Sequence, residues 1–201
     1  QILLAYGAEL VLTPADKGTI GAIEEARRLS EEKGYFFVGQ HYNPANPAAH
    51  QITANEIYED FGEKLDAIVC TTGTGGTISG LSTYLKDRIP DLMIIATEPE
   101  DSPILSKGIA CKHKIMGTAP GFIPDTLDQS AYDDIIPVST EAAFQSARKL
   151  ATDEGIFCGI SCGAAVAGML DYASKESTRG AVLLAILPDT GERYLSTDLW
   201  A

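Results

Sequence analysis

Ala67-Ile68-Val69-Cys70-Thr71-Thr72-Gly73-Thr74-Gly75-Gly76-Thr77 is the stretch that decides how this chain folds. Four apolar residues with no polar break read as a strand buried on both faces, and Gly75 to Arg88 reads as the helix that follows. The turn between them offers backbone N–H groups that no Cβ obstructs, flanked by threonine hydroxyls. Such a turn is an anion cradle at a helix N-terminus. The plainer alternative is a tight turn whose glycines serve packing alone.

Working outward, the same alternation recurs. Upstream, Ile2 to Gly7 reads as a last helical turn closing on a C-cap glycine, so the chain is expected to open inside a fold. Glu9 to Leu12 is then expected as a strand, Thr19 to Lys33 as a helix and Tyr35 to Gly39 as a strand. The next helix carries Ile52, Ile57, Tyr58 and Phe61 on one side, with Asn46 as N-cap and Pro47 at its first position. Downstream, strands are expected at Leu92 to Thr97, Ile135 to Val138 and Ala181 to Leu187, the last bounded by Gly180 and Pro188. Helices are expected at Thr140 to Glu154 and Ser161 to Ala173, and Asp101 to Thr126 reads as irregular. Near-continuous apolar strands alternating with helices predict an α/β fold: an open, mostly parallel sheet with helices on both faces.

Composition narrows the function. The 201 residues carry 28 acidic and 15 basic side chains, a formal charge of −13. Nucleic acid would be repelled, and no local basic stripe offsets this. The longest apolar runs are too short to cross a bilayer and no signal-peptide pattern opens the chain, so a cytoplasmic protein is expected. Cys70, Cys111, Cys158 and Cys162 show neither metal nor disulfide-framework spacing and read as reduced thiols. His41, His50 and His113 are too scattered to suggest a metal site.

Ligands of open parallel sheets bind beyond the carboxyl ends of the strands, which directs attention to the loops there. A nucleotide P-loop reading of residues 73–77 fails, because Gly76 is followed by Thr77 and Ile78 and not by Lys and Ser or Thr. A dinucleotide fingerprint would use Gly73, Gly75 and a ribose-binding acid at Glu98, but Ile78 stands where its third glycine belongs. Gly159-Ile160-Ser161-Cys162-Gly163-Ala164-Ala165 opens a helix with small residues, able to approach another helix or a flat ring closely. Ser161 is either an ordinary N-cap or a hydroxyl aimed at a ligand, and Cys162 reads as an inert small side chain. Asp189 and Thr190 follow the last strand, and one or the other could face a ligand, with Arg193 and Tyr194 fixing the turn.

Taken together, Gly73-Thr74-Gly75-Gly76-Thr77, Gly159 to Ala165 and Pro188-Asp189-Thr190-Gly191-Glu192-Arg193-Tyr194 resemble the cysteine synthase (O-acetylserine sulfhydrylase) family of pyridoxal-phosphate enzymes. Gln40 with Asn43-Pro44-Ala45-Asn46-Pro47, and His113-Lys114-Ile115 with Gly117 and Gly121-Phe122-Ile123-Pro124, agree in order and spacing. The resemblance implies a tryptophan synthase β-like fold, with residues 1–44 the remainder of an N-terminal α/β domain and 45–201 the C-terminal phosphate-binding domain. It implies pyridoxal 5'-phosphate as cofactor, its phosphate held by Gly73, Thr74, Gly75, Gly76 and Thr77 and its ring nitrogen met by Ser161. Gln40 would receive the substrate carboxylate, and Gly117 would lie near the substrate amino group. The implied reaction replaces the acetoxy group of O-acetyl-L-serine by sulfide to give L-cysteine.

The same resemblance implies a homodimer, and a cleft that receives the C-terminal tail of serine acetyltransferase. The family's Schiff-base lysine and its Thr-Ser-Gly-Asn-Thr loop belong N-terminal to Gln1, so the chain matches the C-terminal two-thirds, holds no catalytic residue of its own and is expected to be inactive alone. Cys162 replaces a serine usual in the family, and Thr118-Ala119-Pro120 replaces the commoner Ile-Gly-Ala. Cystathionine β-synthase, a serine/threonine dehydratase of the same fold, and a catalytically empty binding module are the competing readings.

Overall fold

A computed structural model describes residues 1–201, which divide into two compact units, Gln1–Gly39 and Gln40–Ala201. In the first, α1 (Ile2–Ala5) and α2 (Gly18–Lys33) are helical. Gly34 ends α2 at φ 70°, a left-handed cap that costs glycine little. Arg28 pairs with Glu25 and Glu32 on the exposed side of α2, where solvent screens such ion pairs strongly.

Glu9 to Leu12 and Tyr35 to Gly39 form no strand, contrary to the expectation from their apolar character. A strand is defined by its partner, and within this unit neither segment has one. Leu12 and Phe36 are accordingly 89% and 84% exposed.

The second unit carries the sheet. Its elements run α3 (Ala45–Phe61), β1 (Ala67–Thr71), α4 (Gly76–Leu85), β2 (Met93–Pro99), α5 (Ile104–Lys107), β3 (Asp134–Val138), α6 (Thr140–Asp153), α7 (Ile160–Ala173) and β4 (Leu183–Ala185). The strands lie in the order β3-β2-β1-β4 and every pairing is parallel. In register, Val69 of β1 faces Ile95 of β2 and Ala185 of β4. Pro137 sits in β3, at the sheet's edge, where a missing N–H costs least.

Alternation along the strands builds two cores. Val69, Ile95, Ile136 and Val138 point to one face and join Phe144 and Ala147 of α6 with Ile160 and Ala164 of α7. Ile68, Cys70, Ile94 and Ala96 point to the other and join Ala54 and Ile57 of α3 with Ile78, Leu81 and Leu85 of α4. Helices therefore cover both faces, and each fully buried Leu or Ile contributes about 1.5–3 kcal/mol.

The two core helix pairs pack closely because small residues allow it. A Cβ on Gly163 of α7 would stand 2.0 Å from the Ala143 carbonyl of α6, and one on Gly80 of α4 would stand 2.4 Å from the Pro47 carbonyl of α3. The small residues that open α7 thus serve a helix–helix approach. The chain moves from β1 to β2 and β3 on one side and returns to β4 on the other. That reversal lies between β1 and β4, and the crevice beyond the carboxyl ends of such a pair is where open α/β sheets bind ligands.

Candidate active site

Beyond β1 the chain makes the turn Thr72 to Gly75 and enters α4, with Gly75 as N-cap at φ 78°. The amides of Gly73, Thr74, Gly75 and Thr77 donate to no acceptor in the chain, whereas Gly76 N–H donates to Thr74 Oγ1 at 3.2 Å. Free N–H groups in series at the start of a ten-residue helix form a concentrated positive pole. They suit a dianion, as the cradle reading of the sequence expects.

Neighbouring loops fix the turn's shape. Thr126 Oγ1 donates to the Thr74 carbonyl at 2.7 Å, and Ala119 N–H donates to the Thr72 carbonyl at 3.0 Å. Asn46 Nδ2 reaches both Thr74 Oγ1, at 2.9 Å, and the Gln40 carbonyl, at 2.8 Å. Gln40 is thereby tied through its backbone to the cradle, and its side chain is exposed. Thr77 Oγ1 lies 3.2 Å from His50 Nε2, and His50 Nδ1 lies 3.3 Å from Thr53 Oγ1. Burial lowers the pKa of His50, which favours the neutral ring.

Asn46 departs from its sequence reading. The helix begins two residues earlier than expected, at Ala45 and not Pro47, with Pro44 as N-cap, while Asn43 Oδ1 accepts from Ala45 N–H at 2.9 Å. Inside the first turn, Asn46 is free to bridge loops. Thr126 was missed as well, for a threonine in a long irregular segment gives no signal of its partner 52 residues away.

Gly117 meets the cradle directly. It is exposed, takes φ 83°, and its carbonyl oxygen would be 2.3 Å from a Cβ placed on Gly73. The next residues are fixed by Thr118 Oγ1, which donates to the Ile115 carbonyl at 2.6 Å, and by His113 Nε2, 3.3 Å from the Ala119 carbonyl. Ala119 stands at φ 40° immediately before Pro120, the one side-chain-bearing residue of the chain in the left-handed region.

Ser161 lies in the first turn of α7, 6% exposed, in the helix whose N-cap is Gly159 and not Ser161 itself. Its hydroxyl makes no hydrogen bond within the chain and is not sealed from solvent. The capping alternative is therefore excluded, and the hydroxyl stays available to an outside partner. Below it, Asp189 accepts from the Tyr194 hydroxyl and from Cys162 Sγ, the latter at 3.4 Å. Asp189 and Tyr194 thus brace the start of α7, which is why a Cβ on Gly159 would meet Asp189 Oδ1 at 2.1 Å. The Tyr194 pKa is pushed up by burial and by the carboxylate it faces.

Glu98, the acid considered for a ribose, is 1% exposed, and its carboxylate is consumed by Leu105 N–H at 2.7 Å and by Ser106. It anchors the loop after β2, and the dinucleotide reading loses its acid. No three His, Cys, Asp or Glu side chains converge as a metal site would require.

Residues 1–189 match the family model of the pyridoxal-phosphate dependent enzymes. Cysteine synthase of Staphylococcus aureus is 46% identical over 203 residues, covering 100% of this chain and 65% of that protein. Among solved structures, an O-ureido-L-serine synthase is 44% identical with a TM-score of 0.95, over 99% of this chain and 63% of that one. A cysteine synthase of Entamoeba histolytica is 44% identical with a TM-score of 0.93, over 99% of this chain and 60% of that one. The chain therefore spans about two-thirds or less of the length of each of these relatives.

Proposed function

The chain belongs to the pyridoxal-phosphate dependent enzyme family, and from that premise we propose that it carries the cofactor phosphate and ring-nitrogen sites of a cysteine synthase. The observation that carries the reading is the set of unpaired amides at Gly73, Thr74, Gly75 and Thr77. In this proposal those N–H groups, with Gly76 shaping the turn and the Thr77 hydroxyl beside them, bind the phosphate. Oriented backbone donors at a helix N-terminus need no rearrangement to receive such a group. The Ser161 hydroxyl, unpartnered within the chain, meets the ring nitrogen. A hydroxyl there, instead of a carboxylate, leaves that nitrogen unprotonated. Gln40 receives the substrate carboxylate, and Gly117 lines the approach to the substrate amino group.

The bound cofactor supplies an electron sink for the pair released when the substrate's α C–H bond breaks. The protein's part is to hold the two ends of the ring, turn the substrate so that this bond aligns with it, and exclude water. The reaction proposed is replacement of the acetoxy group of O-acetyl-L-serine by sulfide. Here residues 1–44 are the remainder of an N-terminal domain and 45–201 the phosphate-binding domain of a cytoplasmic homodimer.

No lysine of this chain is assigned to the cofactor aldehyde. Lys86, Lys114 and Lys175 are engaged with Asp133, Asp198 and Asp134. The 201 residues alone are therefore proposed to bind the cofactor without catalysing replacement. Equilibrium dialysis against pyridoxal phosphate and against pyridoxal tests the binding. Saturable uptake of the first only, competed by inorganic phosphate, is expected, and equal uptake of both would overturn the cradle.

The likeness to an O-ureido-L-serine synthase supports a second reading, in which another nucleophile replaces sulfide. Product analysis of an active full-length form separates the two: cysteine favours the first, and a product lacking sulfur the second. Release of a keto acid without any added nucleophile would point to a dehydratase. The proposed docking of a serine acetyltransferase tail is tested by peptide titration, in which absence of saturation removes it.

A further inference from the structure

One histidine ties α3 to the start of α4. Gly80 of α4 makes the approach possible, since a Cβ there would stand 2.6 Å from His50 Cβ. The His50 ring then spans two hydroxyls. Its Nε2 lies 3.2 Å from Thr77 Oγ1, at the cradle, and its Nδ1 lies 3.3 Å from Thr53 Oγ1, on its own helix. Neither hydroxyl has another hydrogen-bond partner within the chain.

The direction of these two bonds decides where the Thr77 proton points. A neutral imidazole carries a proton on one nitrogen and a lone pair on the other, and burial of His50 favours that neutral form. Two arrangements follow. With the proton on Nε2, the ring donates to Thr77 Oγ1 and accepts at Nδ1 from the Thr53 hydroxyl, so the Thr77 proton is free to turn outward. With the proton on Nδ1, the ring donates to Thr53 Oγ1 and Thr77 donates to Nε2, so Thr77 presents only lone pairs to the cradle. An anion seated on the cradle amides accepts the Thr77 proton in the first arrangement and is repelled by those lone pairs in the second.

We propose that His50 is a positioning residue for the cofactor phosphate: with its proton on Nε2 it donates to Thr77 Oγ1 and so turns the Thr77 O–H bond toward the bound anion. The inference rests on the cradle reading and adds to it a side chain from a second helix. Thr53 completes the relay, because its hydroxyl occupies the Nδ1 lone pair and holds the other ring proton at Nε2. Every proton stays on its own heavy atom, and phosphate binding selects one tautomer.

The tautomer is read on the unaltered 201-residue chain. In proton–nitrogen spectra of the histidine-labelled chain with pyridoxal phosphate bound, the His50 ring should show a protonated Nε2 and a pyridine-type Nδ1. The reverse pattern, or a ring protonated at both nitrogens, would overturn the proposal. Equilibrium dialysis measures the affinity. His50→Ala should weaken pyridoxal phosphate binding by about three- to tenfold, the equivalent of one ordinary hydrogen bond. His50→Gln, whose amide N–H can stand in for Nε2–H, should recover most of that loss. In a Thr77→Val background, where no hydroxyl remains to be turned, His50→Ala should have no further effect. A loss as large in that background as in the unaltered chain would reveal a merely structural role and overturn the proposal. Circular dichroism establishes that each variant is folded, and the tautomer measurement needs no variant. Failure of the unaltered chain to take up pyridoxal phosphate would overturn the cradle reading and this proposal with it, whereas normal uptake with additive effects of the two substitutions overturns the role of His50 alone.

Discussion

The carbonyl oxygen of Gly117 stands 2.3 Å from where a side chain on Gly73 would begin. The loop that the sequence assigns to the cofactor and the loop it assigns to the substrate therefore touch through backbone alone. Gly73→Ala would force them apart. Because the obstacle is a main-chain oxygen, the cradle must open, and we expect pyridoxal phosphate affinity to fall at least about tenfold with a stability loss of about 1–3 kcal/mol. Equilibrium dialysis and urea denaturation measure the two effects, and unchanged affinity would show that the contact does not shape the cradle.

Asn46→Ala removes one side-chain amide that serves two loops. Its contacts to Thr74 Oγ1 and the Gln40 carbonyl are both lost, leaving the carbonyl to solvent. A cost of about 1–2 kcal/mol follows from ordinary hydrogen-bond energetics. Phosphate affinity should fall too, since Thr74 then loses a partner that orients it, and thermal shift with and without inorganic phosphate reads both.

The scaffold of the candidate site is legible in the sequence. The run Ala67 to Cys70 needs both faces buried, and glycines after such a strand allow only a tight approach to a helix start, so β1, the cradle and α4 follow from local chemistry. What stayed hidden depends on partners distant in sequence. Glu9 to Leu12 and Tyr35 to Gly39 have the apolar character of strands but lack a neighbouring strand within their unit. Asn46 reads as a cap because its type suits one, and only the packing of α3 against α4 shows its amide turned to Thr74. Asp189, considered for a ligand, proves to be held by Tyr194 and Cys162.

Ala119 offers the opposite kind of change. At φ 40° its Cβ crowds the backbone, a conformation costing an ordinary residue about 1–2 kcal/mol that glycine escapes. Ala119→Gly should raise stability by about 0.5–1 kcal/mol after the extra flexibility of the unfolded chain is deducted. An unchanged or lower urea midpoint would contradict this.

Alkaline pH should weaken the fold through Cys70. Complete burial in β1 pushes its thiol from 9.0 up to about 12. A folded pKa above the unfolded one means full stability below about pH 9, lost as pH rises toward 12, because the unfolded chain then releases a proton that the folded chain keeps. Burial raises the Tyr132 and Tyr194 hydroxyls as well and steepens the fall. Unfolding free energies from urea titrations between pH 8 and about 11 should decline, the Cys70 contribution approaching a slope of about 1.4 kcal/mol per pH unit, and Cys70→Ala should flatten the curve.

Whether four unpaired amides receive the coenzyme's phosphate is best read at the amides themselves. In proton–nitrogen correlation spectra of the 15N-labelled chain, adding pyridoxal phosphate should shift the resonances of Gly73, Thr74, Gly75 and Thr77 downfield, while pyridoxal lacking the phosphate should leave them in place. Shifts confined to residues elsewhere, or equal responses to the two compounds, would contradict the account.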